Sequence, residues 1–380
     1  MTIKNITVLG SGIMGHGIAQ VSAMSGYNVV LRDVEQQFLD KAMEKIKWSL
    51  DKLVSKQKIS EEKAREIYSR IIPVVDLKQA MKDCDMMIEA VPEVMDLKKK
   101  VYAEVDSVAD KKTIYASNTS TLPITEIANI TSRPERFIGI HFFNPPQLMK
   151  LVEVIPGKAT SSDLVKVTMD FVKSVSKEPV LLKKDVVGFI VNRVFIPLVH
   201  EAAWAMDRTK SSMMEIDSSV KFTLNFPMGI FELADFTGLD VIHKATVEMY
   251  SRDKKVINPH PIVQNLFEQK KYGQKSGSGF YDYSGEKYER INLTEELAKK
   301  FDPTQLLGTM LNNAAWLVTN QVSDVPEIEK ALSLGMGLKK PIFETAKEFG
   351  MKKIVKELEE LSKAYGKFYE PDPYLVSISN

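Results

Sequence analysis

Apolar positions in the first part of the chain follow two rhythms in turn. "IKNITVLG" is a strand-like run that breaks at Gly10-Ser11-Gly12; Ile13, Ile18, Val21 and Met24 then follow at helical spacing, and a second apolar run, "NVVLRD", ends in Asp33. Further short apolar runs stand at "IIPVV" (71–75), "MMIEAV" (86–91), "TIYASN" (113–118) and "FIGIHF" (137–142), separated by segments of helical period. Strands alternating with helices predict an α/β unit, a Rossmann-type doubly wound parallel sheet whose ligands gather at the strands' carboxyl ends. Three polar clusters fall at such ends: Glu89 to Glu93, Ser117 to Ser120, and His141 to Asn144. One segment interrupts the alternation. Residues 38–70 read as two helices joined near Lys58-Ile59-Ser60, a helical-hairpin insertion between the second and third strands.

From about residue 186 the alternation gives way to helical patterns, which predicts an all-α C-terminal domain. Sliding the chain on itself by 112 residues places Ala202 to Lys244 over 314–356 with thirteen identities in 43 positions, Trp204 on Trp316 and Phe231 on Phe343 among them. The expected domains are therefore 1–185 (dinucleotide binding), 186–290 (helical) and 291–380 (a second, degenerate helical copy). At the same offset Asn192 and Arg193 fall on Thr304 and Gln305, and "FPMGIF" becomes "LKKPIF", so the second copy is expected to be structural.

The first glycine turn carries chemistry. Gly10 and Gly12 permit a tight turn and close approach of backbone to a pyrophosphate, Gly15 lets helix pack on strand, and Ile13 and Met14 complete the loop. Asp33, 18 residues beyond Gly15 at the tip of the second strand, suits the adenosine ribose hydroxyls. Its charge repels a 2′-phosphate and favours NAD over NADP, with Arg32 next to it pulling the other way.

Bulk composition narrows the rest. Among 380 residues, 51 basic side chains against 50 acidic ones leave almost no net field, so nucleic acid is not an expected partner. Cys84 is the only cysteine, which rules out an intramolecular disulfide, and its place before a strand disfavours a nucleophilic role. The N-terminus lacks the pattern of a signal peptide, and the most apolar long stretch (186–206) carries Asn192, Arg193, His200 and Glu201, which a membrane span would not tolerate. A cytoplasmic protein without membrane contact is expected. His200, His243 and His260 show no metal-ligand spacing, no metal is expected, and His16 receives no role.

"HFFNPP" puts His141 at the end of an apolar run, where a histidine serves either as a packed structural residue or as a proton carrier. Glu153 lies twelve residues later in "LVEVI" between apolar neighbours, and a carboxylate buried there is costly without a partner. His141 is one candidate partner; Lys150 and Lys158 are others. In the hairpin, residues 41–58 hold six lysines against two acids, and Ser49 and Lys56 lie seven apart on one helical face. That arm reads either as a solvated charged helix or as a cradle for a polyanion.

Longer stretches are more specific. "VLGSGIMGHGIA", "EAVPEVMDLKKKVYAEVD", "ASNTSTLPITEIA", "RFIGIHFFNPPQLMKLVEVI", "DVVGFIVNRVFIPLVHEA", "FPMGIFELADFTGLDV" and "YGQKSGSGFYDY" together resemble the L-3-hydroxyacyl-CoA dehydrogenase family, of the 3-hydroxybutyryl-CoA type, over residues 1 to about 285. The resemblance implies that His141 is the catalytic base, that Glu153 pairs with its imidazole, and that Ser120 and Asn192 hydrogen-bond the substrate near its reacting oxygen. It implies NAD contacts at Asp33, Glu93, Lys98, Ser120, Asn144 and Lys275, and contacts with the coenzyme A of an acyl-CoA thioester at Ser49 and Lys56. Simpler members dimerise through the helical domain, so the internal copy is expected to form a pseudo-dimer within one chain; a homodimer of whole chains stays open. The tail "YGKFYEPDPYLVSISN" resembles the linker that leads, in fused members, into an enoyl-CoA hydratase domain. The implied reaction is reversible NAD-dependent oxidation of an (S)-3-hydroxyacyl-CoA, foremost 3-hydroxybutyryl-CoA. Two rivals remain at this point: a dehydrogenase of a free hydroxy acid such as a sugar acid, and a nicotinamide-binding protein without turnover.

Overall fold

The computed structural model describes residues 3–285 and 291–379. The chain forms two compact units, Met1–Val186 and Val187–Asn380. The boundary expected at residue 290 between the two helical copies lies outside the described residues.

The first unit is built on an eight-stranded sheet of order β3-β2-β1-β4-β5-β6-β7-β8. The strands are β1 (Asn5–Leu9), β2 (Asn28–Arg32), β3 (Ile71–Val74), β4 (Met86–Glu89), β5 (Ile114–Ser117), β6 (Phe137–Phe142), β7 (Leu151–Pro156) and β8 (Glu178–Leu181). Every residue of β4, β5 and β6 is buried, as central strands covered on both faces must be. The chain runs outward from β1 to β3 and then returns to lay β4 beside β1, which makes the β1–β4 boundary the switch point where a crevice opens beyond the strands' carboxyl ends.

The parallel sheet expected from the apolar runs up to residue 142 is present, and the sheet continues beyond it with one change of direction. Strands β1 to β6 are parallel, but β7 runs antiparallel to β6, and β8 is parallel to β7. Only eight residues separate Phe142 from Leu151, too few for a crossover of a dozen or more, so the chain must reverse.

Helix α1 (Ile13–Met24) follows the glycine turn, and the hairpin insertion is α2 (Gln36–Ser55) and α3 (Glu61–Ser69). Leu39, Ala42, Met43, Ile46 and Leu50 form the buried stripe of α2 at helical spacing, which leaves its lysines on the outer face. Ser60 starts α3 by accepting the Lys63 N–H, with Glu61 and Glu62 in the first turn where the helix dipole favours them.

In the second unit, helices Val191–Thr209, Met213–Phe222, Ile230–Thr237 and Leu239–Arg252 recur as Thr304–Thr319, Val325–Met336, Ile342–Phe349 and Met351–Tyr365. The second, third and fourth helices of each set begin 112 residues apart. The same devices recur with them. Asp217 accepts the N–H groups of Phe231 and Glu232 at 2.9 and 3.1 Å, and Glu329, its counterpart, accepts those of Ile342 and Phe343 at 2.9 Å each. Gly238 and Gly350 turn between third and fourth helices at φ +103° and +90°, backbone that a side chain would strain. The two copies meet where Val191–Thr209 packs on Thr304–Thr319, with the Arg193 guanidinium 3.2 Å from the centroid of the Trp316 ring. No helix among the described residues is long and apolar enough to cross a membrane.

Candidate active site

The glycine turn is packed as tightly as a dinucleotide loop requires. A Cβ on Gly10 (φ +92°) would meet the Ala90 carbonyl oxygen at 2.6 Å, and one on Gly15 would lie 1.7 Å from the Gly10 carbonyl oxygen. On the outer side the space is open: a Cβ on Gly12 would have nothing within 4 Å, and α1 begins there without a side-chain cap. Uncapped N–H groups facing open space fit a pyrophosphate, so these residues fit NAD. Ile13 is exposed and Met14 half-buried beside them. Asp33 does more than stand at the tip of β2. Its Oδ2 accepts from both the backbone N–H and the hydroxyl of Ser11 at 2.7 Å, which braces the turn.

Along the same rim, β4 ends in Glu89, fully buried, whose Oε1 accepts from the Lys98 ammonium at 2.6 Å and whose Oε2 accepts from Ser117 Oγ at 2.7 Å. Lys98 also pairs with Glu93 at 3.2 Å. Burial alone would lower the pKa of this lysine, but the Glu89 and Glu93 carboxylates outweigh it and hold its pKa above the usual value. Glu93 behaves in the mirror sense: burial raises it, while the Lys98 ammonium and hydrogen bonds from Thr119 and Ser120 hold it below the usual carboxylate range. Glu93 Oε1 accepts from the Ser120 N–H at 2.9 Å and from the Ser120 hydroxyl at 3.3 Å, so the β4 loop is tied to the β5 loop through a charged carboxylate.

His141 and Glu153 are directly opposite residues of β6 and β7. Their side chains project to one face of the antiparallel pair, and Nδ1 of His141 lies 2.7 Å from Oε2 of Glu153, with the histidine 6% and the glutamate 0% exposed. A carboxylate can only accept, so Nδ1 carries the hydrogen, and the neutral tautomer this selects has its lone pair on Nε2. The reversal of β7 therefore creates the pair. Phe143 packs on the imidazole at 4.4 Å between centroids, and Asn118 Oδ1 accepts the Phe142 N–H at 2.9 Å, fixing the end of β6 to the β5 loop. Asn144 follows, exposed.

On the hairpin arm, Ser49 is half-buried and Lys56 exposed just past the end of α2. Trp48 beside them is 64% exposed, with the Lys52 ammonium 5.6 Å from its ring centroid. Asn192 and Lys275 belong to the helical unit. Asn192 is the second residue of helix Val191–Thr209, and Lys275 pairs with Asp240.

The other histidines are held differently. His16 Nδ1 lies 2.7 Å from the Gly12 carbonyl oxygen. In the helical unit His200 Nε2 donates to Thr246 Oγ1 at 2.8 Å and its Nδ1 accepts the His260 N–H at 3.0 Å, while His260 Nε2 lies 3.0 Å from Asp207. Among the described residues no group of three or more His, Cys, Asp or Glu side chains is placed to hold a metal ion. Cys84 is buried, and burial pushes its thiol up to about 11, away from nucleophilic use.

Three residues carry no role in the sequence reading: at the rim, Glu89 as the anchor of Lys98 and Asn118 as the clamp on β6, and in the middle of α1 the fully buried Gln20. The usable signal for Gln20 is an amide in an otherwise apolar helical stripe.

Comparison with known proteins agrees with this fold. Residues 5–186 match the family described as 3-hydroxyacyl-CoA dehydrogenase, NAD binding domain, and residues 188–283 and 303–378 both match its C-terminal domain. The chain is 41% identical over 289 residues to the mitochondrial hydroxyacyl-coenzyme A dehydrogenase of Mus musculus, covering 74% of this chain and 91% of that protein. It is 39% identical over 292 residues to a 3-hydroxybutyryl-CoA dehydrogenase of Bradyrhizobium diazoefficiens, covering 75% and 97%. The crystal structure of 3-hydroxybutyryl-CoA dehydrogenase from Escherichia coli K12 superposes over 100% of this chain and 98% of that one, with a TM-score of 0.89 at 26% identity. The chain belongs to the 3-hydroxyacyl-CoA dehydrogenase family and is an NAD-dependent oxidoreductase of 3-hydroxyacyl-CoA.

Proposed function

We propose that this enzyme interconverts (S)-3-hydroxybutyryl-CoA and acetoacetyl-CoA, with His141 as the proton carrier and Glu153 as its orienting partner. The observation that carries the reading is the 2.7 Å bond between His141 Nδ1 and Glu153 Oε2 across paired strands. Bound nicotinamide supplies the hydride acceptor for C3. Glu153 keeps the hydrogen of His141 on Nδ1, so the Nε2 lone pair takes the C3 hydroxyl proton in oxidation and returns it in reduction. The imidazolium formed on the way is stabilised by the carboxylate it already faces.

Ser120 and Asn192 are assigned to the reacting oxygen as hydrogen-bond partners. The cofactor is assigned to Gly10, Gly12, Ile13, Met14, Gly15, Asp33, Glu93, Lys98, Ser120, Asn144 and Lys275, and the coenzyme A moiety to Ser49 and Lys56 on the basic arm, where Lys56 meets a phosphate as a point charge. The C4 chain length is favoured by the relatives whose names specify 3-hydroxybutyryl-CoA. The repeated helix starts and the twin capping carboxylates support reading residues 291–380 as a second helical copy that acts as an internal partner for the first. A cytoplasmic location completes the reading.

NADH absorbance with acetoacetyl-CoA, longer 3-oxoacyl-CoAs and free acetoacetate, each repeated with NADPH, tests the proposal. Acetoacetyl-CoA with NADH should be turned over fastest and free acetoacetate hardly at all. No turnover with any thioester rejects the reading.

A further inference from the structure

Gln20 is a fully buried amide in the middle of α1, and both ends of that amide are used. Its Nε2 donates to Ser49 Oγ on α2 at 2.9 Å, and its Oε1 accepts from Nε2 of Gln147 at 3.1 Å. Gln147 sits in the connection between β6 and β7, six residues beyond His141, in a turn closed where the Leu148 and Met149 N–H groups both donate to the Pro145 carbonyl oxygen at 3.0 Å. That turn leans on α1 at a position where the helix has no side chain: a Cβ on Gly17 would lie 2.8 Å from Gln147 Oε1 and 2.9 Å from Pro146 Cδ. One buried side chain thus bridges the hairpin arm and the loop behind the histidine, two segments that share no strand or helix.

The direction of these bonds matters. Ser49 Oγ has a single hydrogen and two lone pairs, and the hydrogen bond from Gln20 occupies a lone pair. The Ser49 hydroxyl is therefore kept as a donor toward whatever lies on its outer side, which suits an anionic or carbonyl oxygen of the coenzyme A moiety. An apolar residue at position 20 would leave Ser49 free to turn its hydrogen inward and would release the Gln147 turn.

We propose that Gln20 is a positioning residue that couples thioester binding on the hairpin arm to the placement of the loop following His141. The inference rests on the assignment of coenzyme A to Ser49. Gln20 touches no reacting atom; it acts through Ser49 on one side and Gln147 on the other.

A double-mutant cycle reads the coupling directly. Wild type is measured first with acetoacetyl-CoA and NADH; absence of turnover would remove the functional reading itself and is seen before any variant is made. Ser49→Ala and Gln147→Leu are then compared singly and together, with kcat and KM separated, and free coenzyme A affinity is measured by calorimetry without nicotinamide. Each single variant should lower kcat/KM for the thioester about five- to tenfold, and the pair should be little worse than either one, because both break the same bridge. Gln147→Leu, although remote from the arm, should weaken free coenzyme A about threefold or more while leaving the KM for NADH unchanged. Gln20→Leu should reproduce the double variant. Should it fail to fold, the Ser49 and Gln147 cycle still decides the matter. Multiplicative effects of the two single variants, or unchanged coenzyme A affinity in Gln147→Leu, would overturn the proposal while leaving the dehydrogenase reading intact.

Discussion

Two buried histidines, one at the end of β6 and one inside the helical unit, show how the ring proposed as proton carrier differs from a structural one. His141 and His200 are 6% and 1% exposed, so burial does not separate them. Their partners do. His141 gives its Nδ1 hydrogen to the Glu153 carboxylate, and a second proton on Nε2 would produce a cation facing an anion. His200 holds its hydrogen on Nε2, directed at Thr246 Oγ1, whose own hydrogen goes to the Ile242 carbonyl oxygen at 2.8 Å. The other nitrogen of His200 is filled by the His260 N–H, so a second proton could enter only by breaking that bond. Burial, and after it the charges of His260 and His243, push the His200 pKa down to about 3. A hydroxyl and an amide hold the His200 ring neutral; His141 instead faces a carboxylate, the partner its proposed role requires.

The comparison is broken most forcefully at His141. His141→Ala should lower kcat by about 10³- to 10⁴-fold in the NADH assay, whereas His200→Gln should leave kcat within about threefold. A loss at His200 as large as that at His141 would mean that the two rings are not functionally distinct. Next in size, Glu153→Gln should lower kcat by about 10²-fold, since a neutral amide cannot balance the imidazolium although it fills the same space.

A smaller effect sharpens the other side of the comparison and concerns stability. The folded pKa of His200 is depressed, so the folded ring stays neutral while the unfolded ring takes a proton below its ordinary value of 6.5. The stabilising contribution is full above pH 6.5 and is lost as pH falls toward 3. Between pH 6.5 and 5 it should cost about 2 kcal/mol in wild type, read by urea unfolding, and His200→Gln should show a correspondingly shallower decline. The smallest effect is at the arm. Lys56→Ala should raise the KM for acetoacetyl-CoA about three- to fivefold, less at high salt, with the KM for NADH unchanged, because an exposed lysine contributes a screened point charge.

Legibility in the sequence followed the range of the physics. The glycine turn, the alternation of strands and helices and the hairpin arm depend on local period and on residues such as Gly10 and Gly15 that tolerate no substitute, and these could be read directly. The helical character of the second unit was equally plain, and its repeat needed only the chain compared with itself. The reversal at β7 was not legible from apolar runs, because its direction is set by the short connection after Phe142 rather than by the run itself. Strand β8 escaped because four residues containing Pro179 give almost no periodic signal. The proximity of His141 and Glu153 could be argued from the cost of burying a carboxylate, with lysines as rivals, and only strand register placed them opposite one another. An amide among apolar residues marks Gln20, but its role could not be read: its partners lie 29 and 127 residues away, and nothing in the local pattern points to them.

The two rings should carry their hydrogens on opposite nitrogens, and that is the most direct test of the proton-carrier assignment. Nitrogen-15 NMR of histidine-labelled protein at neutral pH, with His141→Gln and His200→Gln used to assign the signals, distinguishes the tautomers. The account predicts His141 protonated at Nδ1 and His200 at Nε2. A His141 ring with its only hydrogen on Nε2 would contradict it, since that nitrogen could no longer accept the substrate's proton.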